Sequence, residues 1–269
     1  MFSAIVLLLL AITAIVFAGF RFMDIPFPAD PNFTELENKL RPPSAEHWLG
    51  TDNLGRDVLS RILHGTYISL MIGFIAVLVS MTIGIIMGAV SGYMGGMVDH
   101  IIMRIVDAIM CFPTFFLILT VVALLEPSIF NVTIVIGLVG WTGTARLVRA
   151  EFLTLREAEY VNAVRALGQN SGKIIFRHIL PNAMPPIFVS AVLGVPEAIL
   201  TEAGLSFLGI GVQPPQATWG NIIADGKSYI LDAWWLILFP GLAILITALA
   251  FYLTAEAVRN ASMTKAERK

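Results

Sequence analysis

Several stretches of this sequence run for about 18 or more residues without Asp, Glu, Lys or Arg, the length a helix needs to cross ~30 Å of hydrocarbon. The composition agrees: 57% of residues are hydrophobic and 13% charged, against ~25% charged in an ordinary soluble domain. Mean hydropathy is +0.81, so the chain reads as a multi-span membrane protein. A net charge of −2 offers no basic field to phosphates, which removes nucleic-acid binding. Cys111 is the only cysteine, so neither an intrachain disulfide nor a Cys-based metal cluster can form. Six helices of ~20 residues would take ~120 residues, and the remaining loops must carry much of the specific chemistry.

The first expected span is residues 2–20, which lack the basic n-region and small-x-small cleavage site of a secretory signal. The second covers about 67–91, where Gly84, Gly88 and Gly92 recur every fourth residue and make a flat stripe suited to close helix approach. The third, about 102–125, contains Pro113, which removes a backbone donor and predicts a kink. The fourth covers about 128–147. A stop at Leu180-Pro181 precedes the fifth, from near Asn182 to about Leu205, with Pro185, Pro186 and Pro196 inside it. The sixth covers about 233–256, opened by Trp234 and Trp235 at a membrane interface.

The charge-free stretch 203–224 is set apart. Its GIGVQPPQATWGN segment would leave backbone groups unpaired in lipid, so a loop or re-entrant element is expected there. With both termini inside, inner segments hold eleven Lys and Arg and outer segments six, which satisfies the positive-inside rule. Arg21 dissents locally, because it follows the first span with nothing basic before it. The expected organisation is a first helix and outer loop at 1–66, a five-helix core at 67–257 holding an inner loop at 150–181, and a short inner tail at 258–269.

Catalytic signatures are missing. Gly220 to Ser228 ends like a phosphate-binding loop but has five intervening residues where four are required, and no strand precedes it. No HExxH, GxSxG or CxxC occurs. His47, His64, His100 and His178 fall at span edges or in loops and read as interfacial histidines rather than metal ligands. No catalytic or metal residue is assigned, and the chain is not expected to be an enzyme.

The inner loop alternates charge and apolar residues at helical spacing. Tyr160, Val164 and Leu167 lie at i, i+4 and i+7 and form one apolar stripe, while Glu159, Asn162 and Arg165 take other faces. Gly168 is placed to end this helix with a positive φ. Asn170 or Ser171 can cap a second short helix, closed by Pro181. On these residues alone, a helix pair lying on the lipid surface stays open.

The same residues resemble the EAA loop of ATP-binding-cassette importer permeases. Aligned on Gly168, Asn162-Ala163-Val164 stands at Glu-Ala-Ala, His178 at the Ile position, and Leu180-Pro181 at Leu-Pro. Ala163, Gly168, Leu180 and Pro181 match the general pattern. The dipeptide, oligopeptide and nickel subgroup departs from it in the same way, with a His-Ile-Leu-Pro-Asn ending like residues 178–182. The chain also resembles that subgroup's C-type subunit at Leu49 to Arg61 (LGTDNLGRDVLSR), Gly92 to Gly96, Arg104 to Asp107, Phe112 to Thr114, Leu205 to Gly209, and Trp219-Gly220. These run in order through nearly the whole chain. Two departures are Ala255 to Asn260, a degraded Gly-Asp-x-x-Arg-Asp ending, and the lack of a basic N-terminal tail, which implies a trimmed start or an atypical member.

The resemblance implies an all-α integral membrane permease of type I ABC importer architecture, multi-pass in the bacterial inner membrane with both termini cytoplasmic. It implies a pathway for di- or oligopeptides, with a nickel or metal-chelate importer as the alternative. A self-contained channel or secondary transporter would leave the EAA-like segment unexplained. Implied partners are a homologous permease subunit, two cytoplasmic ATPases and an external substrate-binding protein. This chain itself needs no cofactor, ATP and Mg residing on the ATPases. Tyr160, Val161, Ala163, Val164, Arg165, Ala166, Leu167 and Gly168 are the expected ATPase-coupling residues.

Carboxylates at membrane depth cost at least ~2.5 kcal/mol unless they face protein or water. Asp107, Glu197 and Glu202 are therefore pathway or gate candidates. For Asp107 the favoured expectation is a structural pair with Arg104; for Glu202 a hydrogen-bonded structural role stands equally open. In the outer loop, Asp52, Arg56, Asp57 and Arg61 are outer-mouth candidates. A short amphipathic helix is expected there from about Gly55, capped by Thr51, Asp52 or Asn53, with an Asp57 to Arg61 pair.

Overall fold

A computed structural model describes residues 30–266, together with helical positions at 8, 12 and 13. The expected first span therefore lies outside the described residues except at those three positions. Among the described residues the secondary structure is helical, with one isolated bridge between Thr51 and Asp57.

Residues 30–57 form an irregular cap containing a 3-10 turn at Leu36–Asn38. Helix α1 (Val58–Met94) starts where the Asp57 carboxylate accepts from the Ser60 N–H, and it ends at Gly95, whose φ is 65°. The expected separate outer helix and second span are one element, because nothing between Val58 and Tyr67 stops a helix. At ~1.5 Å per residue α1 is about 55 Å long, well beyond ~30 Å of hydrocarbon, so it protrudes. Helix α2 (Gly96–Met110) and helix α3 (Thr114–Ala123) meet at an 80° bend. The expected kink is thus a full break over Cys111 to Pro113, since Pro113 has no N–H with which to continue the ladder.

Helix α4 (Ile129–Leu155) is capped by Ser128 and lies along α1. The glycine stripe makes this contact. A Cβ added at Gly84 would lie 2.5 Å from Thr144, at Gly88 2.6 Å from the Ala145 carbonyl, and at Gly92 2.6 Å from Phe152. Helix α5 (Glu159–Ala166) and helix α6 (Ser171–Ile174) follow, then one π turn at Ile175–Ile179 and helix α7 (Leu180–Phe207). The expected stop at Pro181 is absent. Pro181 sits in the first turn of α7, where a missing N–H costs little, and the π turn carries the chain through without a break.

After α7 the chain folds back through 208–218 into helix α8 (Trp219–Gly226). Thr218 and Asn221 form a capping box, and the Asn221 amide donates to the Gln216 and Val212 carbonyls at 2.6 and 3.3 Å. Those bonds satisfy the backbone of the Gly- and Pro-rich loop expected to be re-entrant. Helix α9 (Trp235–Ala266) closes the fold. Helices α1, α4 and α9 and the continuous stretch Ser171–Phe207 are each long and apolar enough to span a membrane, and the bent α2 and α3 pair can make a fifth crossing.

Candidate functional site

Beyond the C-terminal end of α1, Val161 anchors α5. It is fully buried in a cluster with Val148, Phe152, Ile174, Ile179, Ala183 and Ile187. Val164 is partly buried beside it, while Tyr160 is 41% and Leu167 86% exposed. Partial burial pushes the Tyr160 phenol pKa up. The Tyr160, Val164 and Leu167 stripe read from the sequence is therefore split, with Val164 partly buried and Tyr160 and Leu167 exposed, while Val161, outside that stripe, faces the bundle. Ala163, Arg165 and Ala166 are exposed. Phe176, 72% exposed at the π turn, joins Leu167 as a large apolar side chain that the sequence pattern did not single out.

Polar contacts hold this end in place. Gly168 has φ 77° and its N–H donates to the Arg165 carbonyl, closing α5 as expected. Asn170 caps α6 by accepting from the Gly172 N–H. Arg165, on another face than the apolar stripe, donates to Asn162 Oδ1 at 3.0 Å and to the Arg156 carbonyl at 3.3 Å. Arg156 in turn donates to the Gly92 carbonyl at 3.0 Å, tying the α4 end to α1. The Arg149 guanidinium grips the Asp99 carboxylate with two bonds of 2.5 and 2.6 Å, and Ser91 donates to the same carboxylate.

Asp107 does not pair with Arg104. Helix α2 lies against α4, and Arg146 of α4 reaches the Asp107 carboxylate at 2.5 Å, with both side chains about half exposed. Arg104 is also within reach at i, i+3, but the packing of α2 on α4 brings the Arg146 guanidinium onto the carboxylate.

At the other end of α1 three of the four outer-mouth candidates are buried. Asp52 is 0%, Arg61 1% and Arg56 5% exposed. Arg56 donates to Asp52 at 2.6 Å and to Asp225 at 3.0 Å; Arg61 donates to Asp225 at 3.1 Å and also bonds Asp52. This clasp fastens the cap to α8. The expected Asp57 to Arg61 pair is not formed, because Asp57 caps α1 and contacts His47 at 2.9 Å while Arg61 is drawn between Asp52 and Asp225. Sequence reasoning missed Asp225, whose signal is an isolated acid closing an otherwise charge-free stretch.

Glu202 is 1% exposed, and its Oε1 accepts from Ser206 at 2.7 Å and from Thr218 at 3.0 Å. It joins α7 to the α8 cap, at a helix N-terminus that favours negative charge. Glu197, one face away on α7, is exposed and lines a cavity of about 250 Å³ between α1, α2, α3, α4 and α7.

A set of packed, partly broken membrane helices with an anchored surface helix at one end is what the family comparison then matches. Residues 80–262 fit the family described as "Binding-protein-dependent transport system inner membrane component". The chain belongs to this family. The permease match contains α5, Asp107, Glu197 and Glu202, whereas the Asp52, Arg56 and Arg61 clasp precedes it. The permease is 43% identical to the dipeptide transport system permease protein DppC of Alkalihalophilus pseudofirmus, over 85% of this chain and 75% of the relative. It is 42% identical to the probable D,D-dipeptide transport system permease protein DdpC of Escherichia coli K12, over 89% and 80% respectively. With the oligopeptide transport system permease protein OppC of Bacillus subtilis the figures are 40%, 86% and 76%. Among solved structures, an inward-facing MetNI methionine ABC transporter aligns with a TM-score of 0.62 and 16% identity, over 76% of this permease and 96% of that chain. The likeness fixes the type I ABC permease fold, and the permease is a multi-pass membrane protein without a catalytic assignment of its own.

Proposed function

We propose that this permease forms, with a homologous subunit, the membrane pathway of an ATP-driven importer of short peptides. The cytoplasmic ATPase subunits bind ATP and Mg and dock on α5 and the adjoining π turn, and an external binding protein delivers substrate at the clasp end. Both termini are then cytoplasmic. The observation that carries this reading is the exposure of Leu167 and Phe176 beside a fully buried Val161. A helix anchored by Val161, with exposed apolar side chains at its C-cap and in the adjoining π turn, is suited to receive a partner and pass its motion into the bundle. Continuity through the π turn gives that motion a direct route into α7. Relatives above 40% identity carry dipeptide permease names, which favours short peptides as the substrate.

The test is reconstitution of the permease with its neighbouring permease, ATPase and binding-protein gene products in proteoliposomes. Uptake of a labelled dipeptide should need both ATP and binding protein. Uptake that runs on an ion gradient without ATPase subunits would overturn the reading.

A further inference from the structure

Asp99, Asp107 and Glu202 all have partners, in Arg149, Arg146, and Ser206 with Thr218. The Glu197 carboxylate has no ion pair or hydrogen bond among the described residues, yet it stands on a span-length helix and is exposed. An ionised carboxylate at that depth has to face a cation or water rather than lipid. It borders the cavity between α1, α2, α3, α4 and α7, together with Ser80, Thr114, Thr142, Ser190 and Thr201. The hydroxyls of Ser80, Thr114, Thr142 and Ser190 take no hydrogen bond among the described residues, and the Thr201 hydroxyl turns back to the Glu197 carbonyl at 2.8 Å.

The near cations are already committed. Arg146 lies one turn from Thr142 and holds Asp107, itself one turn from Met110 of the lining, and Arg149 holds Asp99. Arg104 stands nearly two turns before Met110, about 9 Å along α2. We propose that Glu197 and these hydroxyls form a subsite for the free amino group of the transported peptide.

A peptide α-amino group, with a pKa near ~8, is mostly protonated at neutral pH. Its ammonium form has only donors to offer, and the cavity presents a carboxylate and hydroxyl oxygens that accept. A volume of about 250 Å³ falls below the ~300–1,000 Å³ of a complete small-ligand site. It therefore takes one end of the substrate, leaving the rest to the second permease. The inference rests on the importer reading above and adds where the substrate's charge is met.

Two measurements test it. In the reconstituted complex, Glu197→Gln should lower dipeptide uptake about tenfold or more, the loss expected when a charge-assisted hydrogen bond becomes neutral. Glu197→Asp should retain most of the uptake, and both variants should keep binding-protein-stimulated ATP hydrolysis and co-purification. Unchanged uptake in Glu197→Gln, or equal loss in both variants, would overturn the subsite. Loss of the second permease from the Glu197→Gln complex would do the same, because the carboxylate would then serve subunit pairing.

The second measurement needs no transport. With Thr201→Cys in a Cys111→Ser background, a cationic methanethiosulfonate should react faster than an anionic one, and adding Glu197→Gln should bring the two rates together. Equal rates before that change, or no reaction with either reagent, would overturn the proposal. Failure of the importer reading is distinct: the unaltered complex would then show no ATP-dependent uptake, whatever the thiol rates.

Discussion

At the N-terminal end of α1 the charges of Asp52, Arg56 and Arg61 are buried in a closed clasp, whereas at the C-terminal end Leu167 and Phe176 stand exposed beside a buried Val161. Asp52, Arg56 and Arg61 pair with one another and with Asp225. Leu167 and Phe176 touch little, although Val161 beside them is wholly enclosed. A cluster of charges in a loop is thus a poor guide to where a partner lands when those charges can be used internally. An apolar side chain that the fold leaves outside is the better guide, because exposing it to water is unfavourable until something covers it.

The contrast breaks most sharply at Arg61. Removing one member of a buried ion cluster leaves the others charged and uncompensated, a loss of about 3–5 kcal/mol. Arg61→Ala should therefore lower the thermal midpoint of the detergent-purified permease and its yield, as read by fluorescence-detected gel filtration. A variant that stayed fully stable while losing uptake would make the clasp a functional surface and erase the difference between the two ends.

Val161 and Leu167 sharpen the comparison from the other side. Val161→Ala removes two buried methyl-sized groups at ~0.8 kcal/mol each plus a cavity contribution, so about 2 kcal/mol of stability should go. Leu167→Ala should change stability by less than ~0.5 kcal/mol, as for an exposed site, yet reduce ATPase co-purification and stimulated hydrolysis. If the two variants behaved alike, α5 would be an ordinary helix on the lipid surface.

Gly168→Val comes next. A Cβ at Gly168 meets nothing within 4 Å, but the residue holds φ 77°. The cost is thus pure backbone strain of ~1–2 kcal/mol, felt as misplacement of α5. Membrane insertion should persist while stimulated ATP hydrolysis falls. Full stimulation would mean that the turn does not set the position of the helix.

Local chemistry was legible where it depends on spacing alone. Every-fourth glycines marked the close-packing face of α1, Pro113 the interruption between α2 and α3, and Gly168 the end of α5. The long apolar runs gave the spans among the described residues. What stayed hidden depends on which helix becomes a neighbour. Asp107 and Arg61 each have a same-helix candidate partner at helical spacing, and both bond across to another element instead. Pro181 carries the sequence signature of a stop, but a π turn ahead of it leaves it in a first turn where proline is tolerated. The burial of Val161 in place of Leu167 likewise needs the packed cluster around Phe152 and Ile174, which no periodicity specifies.

Asp107→Asn should have the smallest effect, and it bears on the middle of the molecule, between the two ends. The pair with Arg146 is short, at 2.5 Å, but its side chains are 47% and 50% exposed. Such pairs contribute ~0–1 kcal/mol, because water competes for both charges and two long side chains must be held still. An asparagine can still accept from Arg146, so the α2 to α4 contact should survive with a stability change under ~1 kcal/mol. Uptake should stay within about twofold of the unaltered permease, since the carboxylate is already neutralised by Arg146 and presents little free charge to a passing substrate. A loss as deep as that expected for Glu197→Gln, with stability intact, would place Asp107 in the pathway alongside Glu197. The pair would then be a switchable contact, opened in some stage of transport, rather than a fixed brace between α2 and α4.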